Sequence, residues 1–271
     1  MRALVLGLIL IAGSASAQER PVIAAVSYPL AWMAERLTDG RADVLFPVPE
    51  GRDPAFWRPS LADIGAIQQA DVIALNGAGY AAWVTKASLP RAALVDTSRG
   101  FAEDYIATET VTHSHGADGA HSHTGTATHT WLDFALAARQ AAALATRIER
   151  RTDLGELRPT LGALQTDLLA LDALARQAAE PWQGQVLLAS HPRYQYFARA
   201  YGLTIEALEW DAGAMPSDAQ WQELAARAAE TGAGVFLWED TPPDAAVTRL
   251  DALGITGVVL PPLANRPQDG D

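Results

Sequence analysis

The sequence contains no cysteine and a single lysine, Lys86, among its 20 basic residues. The absence of cysteine excludes disulfides, thiolate metal sites and a lipid-modified cysteine. With 32 acidic residues against those 20, the chain also lacks the positive surface that binds nucleic acid or anionic lipid. An acidic protein attracts cations instead, although solubility alone explains the net charge equally well.

Long hydrophobic runs are scarce too, and the one near the N-terminus is short. Residues 3–12 are apolar apart from Gly7, about half of the roughly 20 residues that span a bilayer. Arg2 precedes this run, and Ala15-Ser16-Ala17 follows it as an A-x-A cleavage site. Residues 1–17 therefore predict a cleaved signal peptide, and we expect a free, soluble protein in the periplasm. Cleavage removes one of the 20 basic residues, which leaves 19 against 32 acidic ones and a net charge of -13.

The motifs of common enzyme classes are missing as well. There is no H-E-x-x-H zinc protease motif, no G-x-S-x-G nucleophile elbow and no phosphate-binding glycine loop. The chain is therefore not predicted to be an enzyme, and we assign it no catalytic and no cofactor-binding residue.

Histidine is present, and it is concentrated in one segment. Five of the six histidines lie in a loop, residues 113–129, otherwise made of Gly, Ala, Ser, Thr and Asp. This composition cannot form a core, but neutral imidazole is the commonest protein ligand for zinc. The four histidines that precede His129 are His113, His115, His121 and His123. Because their i, i+2 spacing does not form a closed tetrahedral site, the loop is predicted to capture metal weakly or to be only a flexible polar tract.

Short β-branched runs alternate with helical patterns in both halves of the chain. Strands are predicted at residues 21–27, 44–48, 71–75, 92–96, 185–189, 203–208, 234–238 and 257–260. Helices are predicted at 30–37, 60–70, 81–87, 131–151, 157–180, 221–230 and 243–253, and after Ser190 as a cap. This alternation predicts an α/β fold of two similar parallel-sheet lobes, joined by a long rigid helix, with a cleft between them. The predicted bounds are 18–155 for the N-terminal lobe, 156–182 for the linker helix and 183–271 for the C-terminal lobe.

Two polar residues lie within two positions of the ends of predicted strands in the second lobe, where open parallel sheets bind ligands. His191 comes after the strand that ends at Ala189, at the predicted first turn of a helix. Glu239 comes after the strand that ends at Trp238. A single histidine is more often structural, and Glu239 serves equally well as a helix cap. Together with His129, they are candidate nitrogen and oxygen ligands of a metal.

Several motifs follow one another along the mature chain. They are Pro49-Glu-Gly-Arg-Asp-Pro54, Phe56-Trp-Arg-Pro-Ser60, Ala70-Asp-Val-Ile-Ala-Leu-Asn-Gly77, the His-rich insertion before His129-Thr-Trp-Leu-Asp133, and Ser190-His-Pro192 with Tyr196-Phe197. Their order and spacing resemble the periplasmic metal-binding proteins of zinc and manganese ABC transporters, of the zinc-uptake type. The resemblance implies two lobes joined by a rigid helix, a zinc ion in the cleft and its delivery to a membrane permease.

The chain departs from that family at two ligand positions. Members usually carry a histidine directly after the Asp-Pro pair, where this chain has Ala55, and many carry an aspartate after the last strand, where this chain has Pro261. The resemblance therefore transfers only His129 and His191 as ligands. Asp53, Glu239 or a loop histidine are the candidates to complete the site.

Two other functions use similar features. A periplasmic zinc buffer or chaperone without its own transporter would share the His-rich loop, and a zinc hydrolase would need an open coordination position and a general base. For the preferred interpretation the expected partners are the zinc ion and an ABC permease, with a metallochaperone as a further candidate. We expect a monomer that does not bind nucleic acid.

Overall fold

The computed structural model describes residues 19–108, 112–115, 119–122, 125–211 and 213–267 of the chain. The predicted signal peptide, residues 1–17, lies outside the described residues, and so do the side chains of the loop histidines before His129. The described residues form two four-stranded parallel sheets, one from each half, with helices packed on them. The predicted α/β fold with two parallel-sheet lobes is confirmed.

The first sheet has the strand order β2-β1-β3-β4, and its neighbouring strands all run parallel. Its strands are β1 (Val22–Ala25), β2 (Asp43–Leu45), β3 (Val72–Leu75) and β4 (Leu94–Asp96). Helix α1 (Tyr28–Thr38) connects β1 to β2, and α2 (Leu61–Gln68) lies between β2 and β3. The predicted capping role of Ser60 is confirmed, because its hydroxyl accepts a hydrogen bond from the Asp63 amide at 3.2 Å.

The helix predicted at residues 81–87 is wrong in type. The structure has a single 3-10 turn there, Ala82–Thr85. This segment contains Trp83, Val84 and Thr85, whose branched or aromatic side chains lose rotamer freedom in an α-helix. So short a segment is also too small to offset the cost of starting a helix.

Part of the His-rich loop forms a β-hairpin. Strands β5 (Thr112–His115) and β6 (Gly119–Ser122) pair antiparallel, with His113 opposite His121 in the register. The sequence analysis predicted no strands in these eight residues.

Two long helices follow the loop. Helix α3 (Phe134–Arg151) is capped by Asp133, whose side chain accepts a hydrogen bond from the Leu136 amide at 3.1 Å. Helix α4 (Arg158–Ala179) packs on α3 and α1 of the first lobe and reaches the helix that opens the second. Its 22 residues span about 33 Å, as expected of a helix that joins two lobes. In the part of the chain that the structure describes, no helix is long and apolar enough to cross a membrane.

The second lobe repeats the arrangement of the first, with strand order β10-β9-β7-β8. Its elements are β7 (Val186–Ala189), α5 (Gln195–Tyr201), β8 (Thr204–Ala207), α6 (Asp218–Thr231), β9 (Val235–Trp238), α7 (Asp244–Ala252) and β10 (Thr256–Val259). The predicted capping box before α6 is confirmed, since Ser217 and Gln220 exchange hydrogen bonds. Trp210, Trp221, Phe236 and Trp238 pack together in the core of this lobe.

After β10 the chain returns to the first lobe. We call residues 260–266 the C-terminal strap. The Ala264 carbonyl accepts a hydrogen bond from the Tyr28 amide at 2.9 Å, and the Asn265 amide group donates to the Pro49 and Arg52 carbonyls at 2.7 Å each. The strap thus lies on the first lobe, although the sequence placed all of residues 183–271 in the second. The division into residues 18–155, 156–182 and 183–271 stays a prediction.

Leu164 and Leu174 both lie on α4, but Leu164 is fully buried and Leu174 is 60% exposed. We expect Leu164→Ala to lower the free energy of unfolding by about 2–5 kcal/mol, because it leaves a cavity in the first-lobe core. Leu174→Ala is the matched control, with an expected change within about 0.5 kcal/mol. Urea unfolding followed by circular dichroism measures both. Equal losses would contradict the orientation of α4.

Candidate metal-binding cleft

The carboxyl ends of the two sheets face each other across a polar cleft. Asp53 lies after β2 in the first lobe, and Arg193 lies after β7 in the second. The Arg193 guanidinium contacts the Asp53 carboxylate at 2.7 Å, so these two edges meet. Open parallel sheets bind their ligands at such carboxyl edges.

His129 is held at the carboxyl edge of the first sheet and is only 2% exposed. Asn76, the residue directly after β3, donates a hydrogen bond from its amide group to the Thr128 carbonyl at 2.9 Å. The His129 ring packs against the rings of Tyr80 and Trp131, with centroid distances of 5.8 and 4.8 Å. The polypeptide on both sides of His129 is thus anchored, and its side chain is oriented by packing.

A buried polar network supports this anchor. Gln140 on α3 donates hydrogen bonds to the Asn76 side-chain oxygen at 3.1 Å and to the Thr97 hydroxyl at 2.9 Å. The Thr130 hydroxyl bonds the same Asn76 oxygen at 3.2 Å. All four residues are buried. Buried amides and hydroxyls are costly unless they are paired, so this network ties segment 128–130 to the ends of β3 and β4.

His191 lies in the opposite wall of the cleft and is also 2% exposed. Its Nδ1 is 3.2 Å from the Trp210 carbonyl oxygen, which can only accept. In the neutral imidazole, Nδ1 therefore carries the proton and Nε2 carries the lone pair. Metal-binding histidines commonly have this arrangement, in which one ring nitrogen donates to a carbonyl and the other binds the ion.

Two local predictions around His191 are wrong. His191 does not open a helix, because α5 begins only at Gln195. Ser190 is not a helix cap, since its hydroxyl accepts a hydrogen bond from the Glu239 amide at 3.1 Å. The physical reason is Pro192, which disfavours helical backbone at the residue before it. The result is a bend that places Ser190 beside β9.

Arg193 joins both candidate carboxylates. Its Nη2 is 2.7 Å from Asp53 Oδ2, and its Nε is 3.1 Å from Glu239 Oε2. The Arg193 and Glu239 side chains are each 8% exposed and that of Asp53 is 27% exposed. The sequence analysis missed Arg193, because an arginine two residues after a histidine gives no sign of the distant carboxylates that it will meet.

Burial and neighbouring charges shift the pKa values of three side chains in the cleft. Burial alone would lower the pKa of Arg193, but the Asp53 and Glu239 carboxylates offset this and hold the pKa above its usual range. Burial, followed by the Asp53 charge, raises the pKa of Tyr80 well above its ordinary value. Burial and Glu239 likewise raise the pKa of Tyr194, whose hydroxyl donates to the Leu260 carbonyl at 2.8 Å. Both tyrosines are therefore neutral hydroxyl groups at physiological pH.

The described residues do not contain a complete metal site. Within the ranges that the structure covers, no three His, Asp or Glu side chains form a metal-binding group. Two buried cleft hydroxyls, those of Ser27 after β1 and Tyr80 after β3, also lack a hydrogen-bond partner among these residues. Buried polar atoms normally have a partner, so the cleft has capacity for bound water or a ligand. His113, His115, His121 and His123 have side chains outside the described residues, so their position relative to the cleft stays a prediction.

Two parallel-sheet lobes joined by a long helix, with paired polar residues between their carboxyl edges, define a two-lobed solute-binding protein. Residues 23–271 match the family described as the periplasmic component A of the zinc-uptake complex, ZnuA, and the chain belongs to this family. Its members are metal-binding periplasmic components of ABC transporters and not enzymes. No curated protein sequence matches the chain significantly.

Several solved structures share this fold. The metal-dependent lipoprotein YcdH of Bacillus subtilis is 22% identical to this chain, with a TM-score of 0.76. The match covers 93% of this chain and 91% of the YcdH chain. The Zn(II)-bound ZnuA-like domain of AdcA from Streptococcus pneumoniae is 18% identical, with a TM-score of 0.74. The match covers 93% of this chain and 90% of the AdcA domain. FpvC of Pseudomonas aeruginosa, in complex with Mn²⁺, is 20% identical, with a TM-score of 0.70. The match covers 93% of this chain and 92% of the FpvC chain. At these identities the similarity establishes the fold.

Removal of the Gln140 side chain should measurably destabilise the folded protein. We expect Gln140→Ala to lower the free energy of unfolding by about 1–3 kcal/mol, because it leaves the buried Asn76 and Thr97 groups with fewer partners. Gln165→Ala is the matched control on α4, since that glutamine makes one hydrogen bond, of 3.3 Å, to the Ala138 carbonyl. Chemical denaturation of both variants is the measurement. If Gln165→Ala proved the more destabilising, the network would not be what anchors segment 128–130.

Proposed function

We propose that this protein captures zinc in the periplasm and delivers it to an ABC permease. The observation that carries the proposal is the pair of buried histidines, His129 and His191, one at each wall of the cleft. Membership of the zinc-uptake family supports it. In this proposal residues 1–17 direct export and are cleaved, and the mature protein acts as a monomer, with a metallochaperone as a further partner.

Zinc fits the donor groups better than manganese does. The ZnuA-like domain of AdcA contains Zn(II) and FpvC contains Mn²⁺, so the fold accommodates both ions. Imidazole nitrogen suits zinc, whereas manganese prefers carboxylate, carbonyl and water oxygens. The general affinity order also places zinc above manganese. Two histidines as the primary ligands therefore favour zinc.

A loop histidine is the proposed third ligand. The base of the loop lies close to His129, because Ala107 bridges Thr126 and the Ala127 amide donates to the Ile106 carbonyl at 2.8 Å. The same base touches the second lobe, since the Tyr196 hydroxyl on α5 contacts the Ala127 carbonyl at 3.2 Å. The chain segments that lead into and out of the loop, at residues 106–107 and 126–127, thus lie together beside the second lobe. This supports the proposal that one of the loop histidines reaches the site.

His129→Ala and His191→Ala are each expected to weaken zinc binding at least tenfold, because each removes one nitrogen ligand. Competition titration with a zinc chelator measures the dissociation constants. Tyr201→Phe is a suitable control, because it removes a hydroxyl that bonds Phe134 and Asp172. Unchanged zinc affinity in both histidine variants, with circular dichroism confirming their fold, would disprove the cleft site.

Deletion of residues 113–123 is expected to lower both the zinc affinity of the cleft and the total number of zinc ions bound. Ordering a polar loop costs conformational entropy, but without a third ligand the cleft cannot form a tetrahedral site. Isothermal titration separates the tight site from the weak ones. A matched variant with His113, His115, His121 and His123 changed to serine keeps the loop length. Loss of the weak sites alone in both variants would show that the remaining ligands come from elsewhere.

A further inference from the structure

A guanidinium occupies the place between two carboxylates in the cleft. Arg193 contacts Asp53 from the first lobe and Glu239 from the second, at 2.7 and 3.1 Å. Two carboxylates converging from opposite lobes are the arrangement that a hard divalent cation uses. In this protein the cation between them is a side chain of the protein itself.

The carboxylate oxygens of Asp53 are already used. Oδ1 accepts a hydrogen bond from the Ala55 amide at 2.8 Å, and Oδ2 accepts one from Arg193. Glu239 is held as well, through Oε2 by Arg193 and through its backbone amide by the Ser190 hydroxyl. A metal that bound Oδ2 of Asp53 or Oε2 of Glu239 would compete with Arg193 for a charge-assisted hydrogen bond.

Arg193 is itself confined. Its side chain is 8% exposed, and its guanidinium lies over the Phe56 ring at 5.7 Å. Arginine does not lose its proton in proteins, so it cannot yield to a metal by becoming neutral. Separating it from both carboxylates would leave a buried charge without compensation, and a divalent ion added beside it would meet like-charge repulsion.

We propose that Arg193 is a specificity-determining residue that acts as a tethered cation. It denies the oxygens of Asp53 and Glu239 to metal ions, so that binding depends on imidazole nitrogen. Oxygen-preferring ions such as manganese thereby lose the ligands that they need, whereas zinc does not. This inference rests on the proposed function in one respect, the nitrogen site at His129 and His191.

Removal of the guanidinium tests the proposal. In the mature full chain, Arg193→Met should raise the affinity for Mn²⁺ at least tenfold over the original protein and reduce the preference for zinc, because two carboxylates become available. Arg193→Lys keeps the positive charge and should gain less than threefold. Arg249→Met is the matched control, since Arg249 also pairs with a carboxylate, Asp218 at 2.7 Å, and lies over an aromatic ring. Titration with manganese chloride and with zinc chloride gives the affinities.

Two further variants keep the test decisive. If Arg193→Met does not fold, Arg193→Gln retains hydrogen bonding without charge and should show the same gain. Adding Glu239→Gln to either variant should cancel that gain, because one of the two carboxylates is then lost. An unchanged Mn²⁺ affinity in both neutral variants would overturn the proposal. So would a tenfold loss of zinc affinity in Glu239→Gln with Arg193 in place, since it would show that this carboxylate binds the metal.

The zinc and manganese titrations can fail independently, so they distinguish a failure of the zinc function from a failure of the role proposed for Arg193. If the original protein bound no zinc tightly and His191→Ala changed nothing, the zinc function would fail. The gain of Mn²⁺ binding in Arg193→Met would still be observed if Arg193 alone keeps metals from the two carboxylates.

Discussion

Parallel pairing of the strands is the constraint on which the rest of the structure depends. Because β1 pairs with β3 and β7 with β9 in the same direction, all strands of a sheet end at one edge. The residues after these strands, among them Asn76, His191 and Glu239, are then gathered along two edges, although their segments lie far apart in the sequence. A cleft of polar groups is the direct consequence of two such edges that face each other.

Polar burial distinguishes this cleft from the apolar cores around it. Asn76, Gln140 and Thr130 form hydrogen bonds with one another, and Arg193 forms ion pairs with two carboxylates. Each group is stable inside the protein only as long as its partners stay in place, which makes the walls of the cleft rigid. Rigid walls hold His129 and His191 in definite orientations, and a preorganised site loses less entropy when an ion binds.

The sequence predicted the features that depend on local chemistry. Alternating β-branched runs and helical patterns located the strands, and Ser60 and Ser217 marked the helices that they cap, because these signals act over a few residues. The pairing of Arg193 with Asp53 joins residues 140 positions apart, and no local pattern encodes it. Ser190 shows the same limit, since it has the chemistry of a cap but bonds Glu239 across the sheet. His191 was found because it follows a predicted strand, and both His129 and His191 were found because they match motifs of the family. Their role as ligands stays a prediction.

The C-terminal strap has a consequence for the order in which the protein folds. Asn265 bonds the carbonyls of Pro49 and Arg52, which lie 216 and 213 positions earlier in the chain. During synthesis the first lobe therefore leaves the ribosome long before the segment that completes its surface. Closing a loop of this length costs chain entropy, which the contacts of the strap must offset. The first lobe therefore has a complete surface only after the strap has docked on it.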